Sequence, residues 1–183
     1  MTQLLDRLSQ DHRHVLRLLS LFDDLLDRFH EGNEPDFDLM SEMLEYMESY
    51  ADQVHHPSEE LIFVRLRART NETHPILDVL TRQHVLLGQM NKRFRQSLEG
   101  IMNEEVLRRD EVEVQGREYV KVLRDHLNRE EAEAFPLARE RLTASDWDEL
   151  MEEVPSTDDP VFGDADPARF RTLFQHLMAQ AQP

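Results

Sequence analysis

The chain has 183 residues, of which 39% are apolar, 32% charged and 7% aromatic, a composition that supports one soluble helical domain with its own core. It contains no cysteine, which excludes disulfides, thiolate metal sites and a cysteine nucleophile, and it carries no Gly-rich phosphate loop. Acids outnumber bases 38 to 21, giving a net charge of −17, so a nucleic-acid partner bound through a basic face is not expected.

The first predicted helix runs from about Gln3 to His30, on the stripe Leu5, Leu8, Val15, Leu16, Leu19, Phe22 and Leu26. Gly32-Asn33-Glu34-Pro35 stops it. The second runs from about Asp36 to Arg69, with Met40, Leu44, Met47, Ala51, Ile62 and Leu66 inward. Pro57 lies inside it and predicts a kink or restart there, because proline lacks the backbone donor and disfavours helix at the residue before it. Thr70–Thr73 is the next break, and Pro75 suits the first position of a third helix reaching about Gly100, with stripe Leu77, Leu80, Leu87, Phe94 and Leu98. A fourth helix is expected from about Asp110 to Leu142, with Tyr119, Leu123 and Leu137 inward and a bend at Pro136. Beyond it, Ser145 and Asp148 read as a capping box, and Pro167 as the start of a last helix carrying Phe170, Leu173, Phe174 and Leu177. No alternating strand pattern occurs. The expected fold is therefore all-α: an up-down-up-down antiparallel four-helix bundle over residues 1–142, with additional C-terminal helices over 143–183 packed on it. No stretch approaches the ~18 consecutive apolar residues that cross a bilayer. No basic segment leads into an apolar run at the start, so the chain is expected to be cytoplasmic, without a membrane partner. A homo-oligomer is compatible with this surface.

Four histidines fall on these apolar stripes. His12 lies between Leu8 and Val15, His84 between Leu80 and Leu87, His126 three after Leu123, and His55 four after Ala51. Glu59 follows His55 by four and Glu130 follows His126 by four, so each pair shares one helix face. The pattern repeats: His12 and His55 are 43 residues apart, His84 and His126 are 42 apart. Each half of the bundle supplies one histidine and one His-x-x-x-Glu pair. A carboxylate in an apolar core is unfavourable by several kcal/mol unless it is paired or metal-bound. No lysine or arginine lies on these stripes near either glutamate. Two divalent ions, each taking two imidazoles and both bridging carboxylates, would satisfy the set. Mixed imidazole and carboxylate donors suit iron or manganese better than calcium or magnesium, and zinc remains compatible. Neither Glu-x-x-His nor His-Glu-x-x-His occurs, against a ferritin-type site and against a zinc protease.

A rival register uses His14, His56 and Glu60, but His56 shares its α-helical face with the polar Glu45, Ser49 and Asp52. Periodicity favours the first set. His56 and Glu60 are then expected as solvated neighbours with at most an outer, supporting role, and Glu131 as exposed or supporting. Tyr50 and Tyr119 are expected in the core, Trp147 as a clasp on the bundle, and His30, His74 and His176 on the surface.

At this point the sequence resembles the hemerythrin-like, HHE cation-binding family. The segments that carry the resemblance are DHRHVLRLL around His12, HHPSEELIF around His55, RQHVLLGQM around His84 and HLNREEAEAFP around His126, with the later DWDEL and DDPVFG. The resemblance implies a four-helix bundle around a non-haem di-iron centre, oxo- or hydroxo-bridged, with ligands His12, His55, Glu59, His84, His126 and Glu130. Oxygen-carrying hemerythrins have a further histidine one turn after the third-helix ligand, and here that place is Gly88. This departure argues against simple oxygen carriage. The expected ligand is a small diatomic (oxygen or nitric oxide) or peroxide, in sensing, storage or redox protection. The alternatives are a di-iron enzyme consuming one of these molecules, or a structural bundle without metal.

Overall fold

The computed structural model describes residues 3–69, 74–105, 108–163, 166 and 168–180. The expected break at Thr70–Thr73 and the helix start at Pro167 lie outside them. In chain order the elements are α1 (Gln3–His30), α2 (Phe37–Tyr46), a π-helical segment (Met47–His55), α3 (His56–Arg69), α4 (Pro75–Met102), α5 (Arg109–Arg129), a second π-helical segment (Glu130–Ala134), α6 (Phe135–Arg141), α7 (Ala144–Glu153) and α8 (Arg171–Gln180). No strand occurs among the described residues. The lines α1, α2–α3, α4 and α5–α6 pack as the antiparallel bundle that the sequence predicts. No helix among them is long and apolar enough to cross a membrane.

The predicted stripes are the observed core. Of the residues named for the four bundle helices, only Leu16 and Leu137 are half-buried, and the rest are buried. α1 stops where expected. Gly32 takes φ +88°, a left-handed conformation that glycine adopts without strain, while the Gly32 and Asn33 N–H groups donate to the carbonyls of Phe29 and Arg28.

The two interior prolines act differently from a simple kink. Each is preceded by a stretch of wider π-helical turn. The N–H of His56, just before Pro57, donates five residues back to the Ala51 carbonyl. The N–H of Phe135, just before Pro136, donates five back to Glu130. The wide turns absorb the missing proline donors and the ring that would otherwise strike the preceding turn. Near the first, the Ser58 hydroxyl donates to the Val54 carbonyl at 2.6 Å.

One local expectation is corrected. The α7 capping box is Thr143 with Asp146, not Ser145 with Asp148: Thr143 Oγ1 accepts from the Asp146 N–H, and Asp146 accepts from the Thr143 N–H. Thr143 has the extended backbone a cap requires, while the Ser145 hydroxyl donates to Glu149. Asp146 also accepts from Arg69 of α3 at 3.0 and 2.8 Å, which fixes α7 to the bundle. α4 ends at Met102, close to the expected end near Gly100.

Three helices approach closely at Gly116 of α5. A Cβ there would lie 2.7 Å from Leu26 Cδ2 and 2.8 Å from Phe94 Cζ, so the absent side chain is what admits α1 and α4.

Candidate metal centre

The apolar interior is divided into two clusters. One contains Leu4, Leu5, Leu8, Ile62, Phe63, Leu66, Leu77, Leu80, Ala134 and Phe135. The other contains Val15, Leu19, Phe22, Met47, Ala51, Leu87, Phe94, Tyr119 and Leu123. On every bundle line a gap falls between the two; the gaps hold His12, His55, Glu59, His84 and Glu130, and His126 stands at the edge of the last one, beside Leu127. All six predicted residues come together in this layer. Glu59, His126 and Glu130 are 0% exposed, although two carboxylates in such a place need a counter-charge.

The inner atoms of the layer converge. His12 Nε2 lies 3.1 Å from His55 Nε2. Glu59 Oε1 lies 3.3 Å from His12 Nε2 and 3.1 Å from His55 Nε2, and its Oε2 lies 3.4 Å from His84 Nε2. Glu130 Oε1 lies 3.4 Å from His84 Nε2 and 3.2 Å from His126 Nε2, and its Oε2 lies 3.4 Å from His12 Nε2. Each glutamate thus spans the pair His12–His55 on one side and His84–His126 on the other.

The outer ring nitrogens are held by acceptors. Nδ1 of His12 lies 2.9 Å from Glu131, that of His55 3.0 Å from Asp11, that of His84 2.7 Å from Glu60 and that of His126 3.3 Å from Gln83. A histidine that donates Nδ1–H outward presents the Nε2 lone pair inward, the tautomer that binds a metal. The inner atoms lack what a closed hydrogen-bond network would provide. Glu59 Oε2, His84 Nε2, His126 Nε2 and both Glu130 oxygens are buried without a hydrogen-bond partner. Buried unpartnered acceptors are destabilising by about 1–3 kcal/mol each, and a cation satisfies several at once. The donor set therefore fits a pair of metal ions.

His56 is a correction. It is 6% exposed, not solvated, and one of its donor atoms lies within 4.8 Å of those of Glu59, His84 and His126. Its ring stacks on His84 at 4.4 Å, and its Nδ1 is held 3.1 Å from Asp52. In an α-helix, consecutive residues point about 100° apart, so His55 and His56 should not both face inward. The π-helical segment ending at His55 turns the chain less per residue, and Val54, His55 and His56 are all buried. Pro57 was the sequence signal for that irregularity. Glu60, Glu131, Asp11, Asp52 and Gln83 hold the histidines from outside; of these, the sequence raised only Glu60 and Glu131 as supporting residues.

Without a cation, protons must take its place. Burial pushes the His55 and His84 imidazoles down, but the neighbouring carboxylates outweigh it and raise them to about 10 and about 11. Burial, then the charge of Glu59, raises Glu130 to about 7. Burial, then the His84 charge, lowers His126 to about 2.

An open groove of about 560 Å³ reaches the His84 side of the layer. It is lined by His56, Pro57, Leu61, Val64, His84 and Gly88, with Asp52 and Glu60 at the same wall. A Cβ on Gly88 would meet only Asp52 Oδ2, at 3.5 Å. His30 is exposed and pairs with Glu113, while His74 and His176, expected on the surface, are half-buried.

A family model described as the hemerythrin HHE cation binding domain matches residues 3–138. No curated protein and no solved structure matches the chain.

Proposed function

The chain belongs to the hemerythrin HHE cation-binding family, and on that premise we propose that it is a non-haem di-iron protein that takes a small diatomic molecule or peroxide. The observation that carries this reading is the division of each glutamate's two oxygens between two histidine groups. His12 and His55 would hold one ion and His84 and His126 the other, with Glu59 and Glu130 supplying carboxylate oxygens to both. His56 adds a donor on the His84 side. The imidazole and carboxylate mixture suits iron or manganese, and the family favours iron. Bound there, the ions supply one-electron redox chemistry and positions for a small ligand.

The rest of the work falls to the chain. The two apolar clusters keep water from the layer above and below. Asp11, Glu60, Glu131, Gln83 and Asp52 fix the imidazole rings in orientation. The groove beside His56 and Gly88 gives a small molecule a path to one side of the layer. Asymmetry between the two sides, with three histidines on one and two on the other, favours reaction at a single side rather than symmetric carriage.

The experiment is anaerobic loading with ferrous iron, followed by separate exposure to oxygen, nitric oxide and hydrogen peroxide under absorption spectroscopy. Near-ultraviolet bands that develop with one of them and need Glu59 identify the ligand. Continued consumption of that ligand with an added reductant shows an enzyme, and one stoichiometric event shows a sensor or store. Unchanged spectra with all three contradict the reading.

A further inference from the structure

Next to the metal-binding layer, on the outer side of His55, lies a second group of donors of which only Asp11, through its contact with His55, has a role in the reading above. We propose that Asp11, His14 and Asp159 form a separate site for one divalent transition-metal ion. One donor atom from each lies within 4.8 Å of the other two. They line an open cavity of about 440 Å³ where α1, Tyr50 and the loop at Asp158–Gly163 meet.

Each residue is held by contacts that leave a donor atom facing the others. The His14 ring stacks on Phe162 at 4.1 Å and 14°, and its Nδ1 is buried without a hydrogen-bond partner. That nitrogen faces Asp159 Oδ2 at 3.8 Å, too far for a hydrogen bond. Two donors each ~2.1 Å from one ion stand roughly 3–4 Å apart, so the gap has the span of an ion. Asp159 Oδ1 accepts the Val161 and Phe162 N–H groups at 2.8 and 2.9 Å, and Oδ2 accepts the Tyr46 hydroxyl at 2.8 Å. Asp11 accepts from His55 Nδ1 at 3.0 Å, and the Tyr50 hydroxyl lies 3.3 and 3.4 Å from its two oxygens.

The charge balance points to a cation. Asp11 is 5% and Asp159 8% exposed, and neither makes an ion pair with a lysine or arginine among the described residues. Arg7, which also lines the cavity, donates to Ser58 at 3.4 Å. One imidazole with two carboxylates and a nearby phenol is a donor set for manganese, ferrous iron or zinc, and less for calcium. Asp11 is shared: its other contact is the ring of His55, so an ion here touches the dinuclear layer through one carboxylate. The proposal does not require metal in that layer.

The test uses Mn²⁺ alone as probe, with binding counted by elemental analysis and by electron paramagnetic resonance of the free ion. His14→Phe keeps the stack on Phe162 and removes the nitrogen. Asp159→Asn keeps the oxygen that accepts the loop N–H groups and removes the charge. Each is expected to bind one ion fewer than wild type, and to do so equally in a chain whose layer is disabled by His84→Ala with His126→Ala. Anomalous diffraction from Mn²⁺-soaked crystals should place the ion among Asp11, His14 and Asp159. Retention of this ion with loss of all others in wild type would sink the dinuclear reading and leave this one standing. Mn²⁺ stoichiometry unchanged by both variants, or no anomalous peak at these residues, would overturn the proposal.

Discussion

Glu59 and Glu130 share His84: Oε2 of one and Oε1 of the other each lie 3.4 Å from the same Nε2. Both carboxylates are fully buried, and their remaining oxygens lie within 3.4 Å of His12. Two carboxylates from opposite halves of the bundle thus converge on the same imidazole nitrogens. That arrangement favours cations and disfavours the metal-free chain.

Glu130 is the first case. Its carboxyl is held at about 7 by burial and by the Glu59 charge, so its ionisation opposes folding when no metal is present. Glu130→Gln is expected to stabilise the metal-free protein by on the order of 1–3 kcal/mol at pH 8, while metal retention falls. Denaturant melts and metal analysis of the same samples check this. A variant less stable than the metal-free wild type would contradict it.

The pH dependence should change sign with metal. His55 and His84 have folded values of about 10 and about 11, above their ordinary 6.5. Their contribution to the metal-free fold is complete below about pH 6.5 and is lost as pH rises through 10–11. Glu130, raised from 4.5 to about 7, removes stability as pH rises across that interval. The metal-free melting temperature should therefore fall from pH 6 to pH 10. Metal binding requires the same groups to be deprotonated, so affinity should rise with pH over the same range and loading should release protons. Calorimetric titration in two buffers of different ionisation enthalpy measures that release. Melts at pH 6 and pH 10, with and without metal, measure the rest.

His56 and Gly88 form a complementary pair on the groove wall. His56→Ala is expected to weaken one ion of the pair by on the order of tenfold or more and to leave the other. Gly88 has room for a side chain, since its Cβ would meet only Asp52 at 3.5 Å. Gly88→His in the His56→Ala background is expected to recover part of that affinity. Metal titration of the single and double variants measures it.

Gly116 tests the packing alone. Its missing Cβ admits Leu26 and Phe94, both fully buried. Gly116→Ala should destabilise the bundle by about 1–3 kcal/mol through overpacking, with metal stoichiometry unchanged. Urea denaturation of the variant gives the number.

Much of this was legible in the sequence because a polar residue on an apolar stripe is conspicuous. His12 between Leu8 and Val15, and His84 between Leu80 and Leu87, mark the layer by period alone. His55 with Glu59 and His126 with Glu130 follow from the same rule. His56 was hidden because that rule assumes α-helical turns, and the chain before Pro57 is π-helical. The outer partners were hidden for another reason. Asp11 meets His55 from 44 residues away, and the Gln83 contact to His126 spans 43 residues, which no local pattern encodes. The α7 cap was misplaced by two residues because Ser145 and Thr143 are both chemically suited to it, and backbone direction decides between them.

The most direct measurement is the iron retained after anaerobic ferrous loading and desalting, in wild type, His30→Ala and His126→Ala. The expected result is about two tightly held irons per chain in wild type and His30→Ala, with sharp loss in His126→Ala. No retained iron in wild type, or equal retention in all three proteins, would contradict a dinuclear metal centre built on this layer.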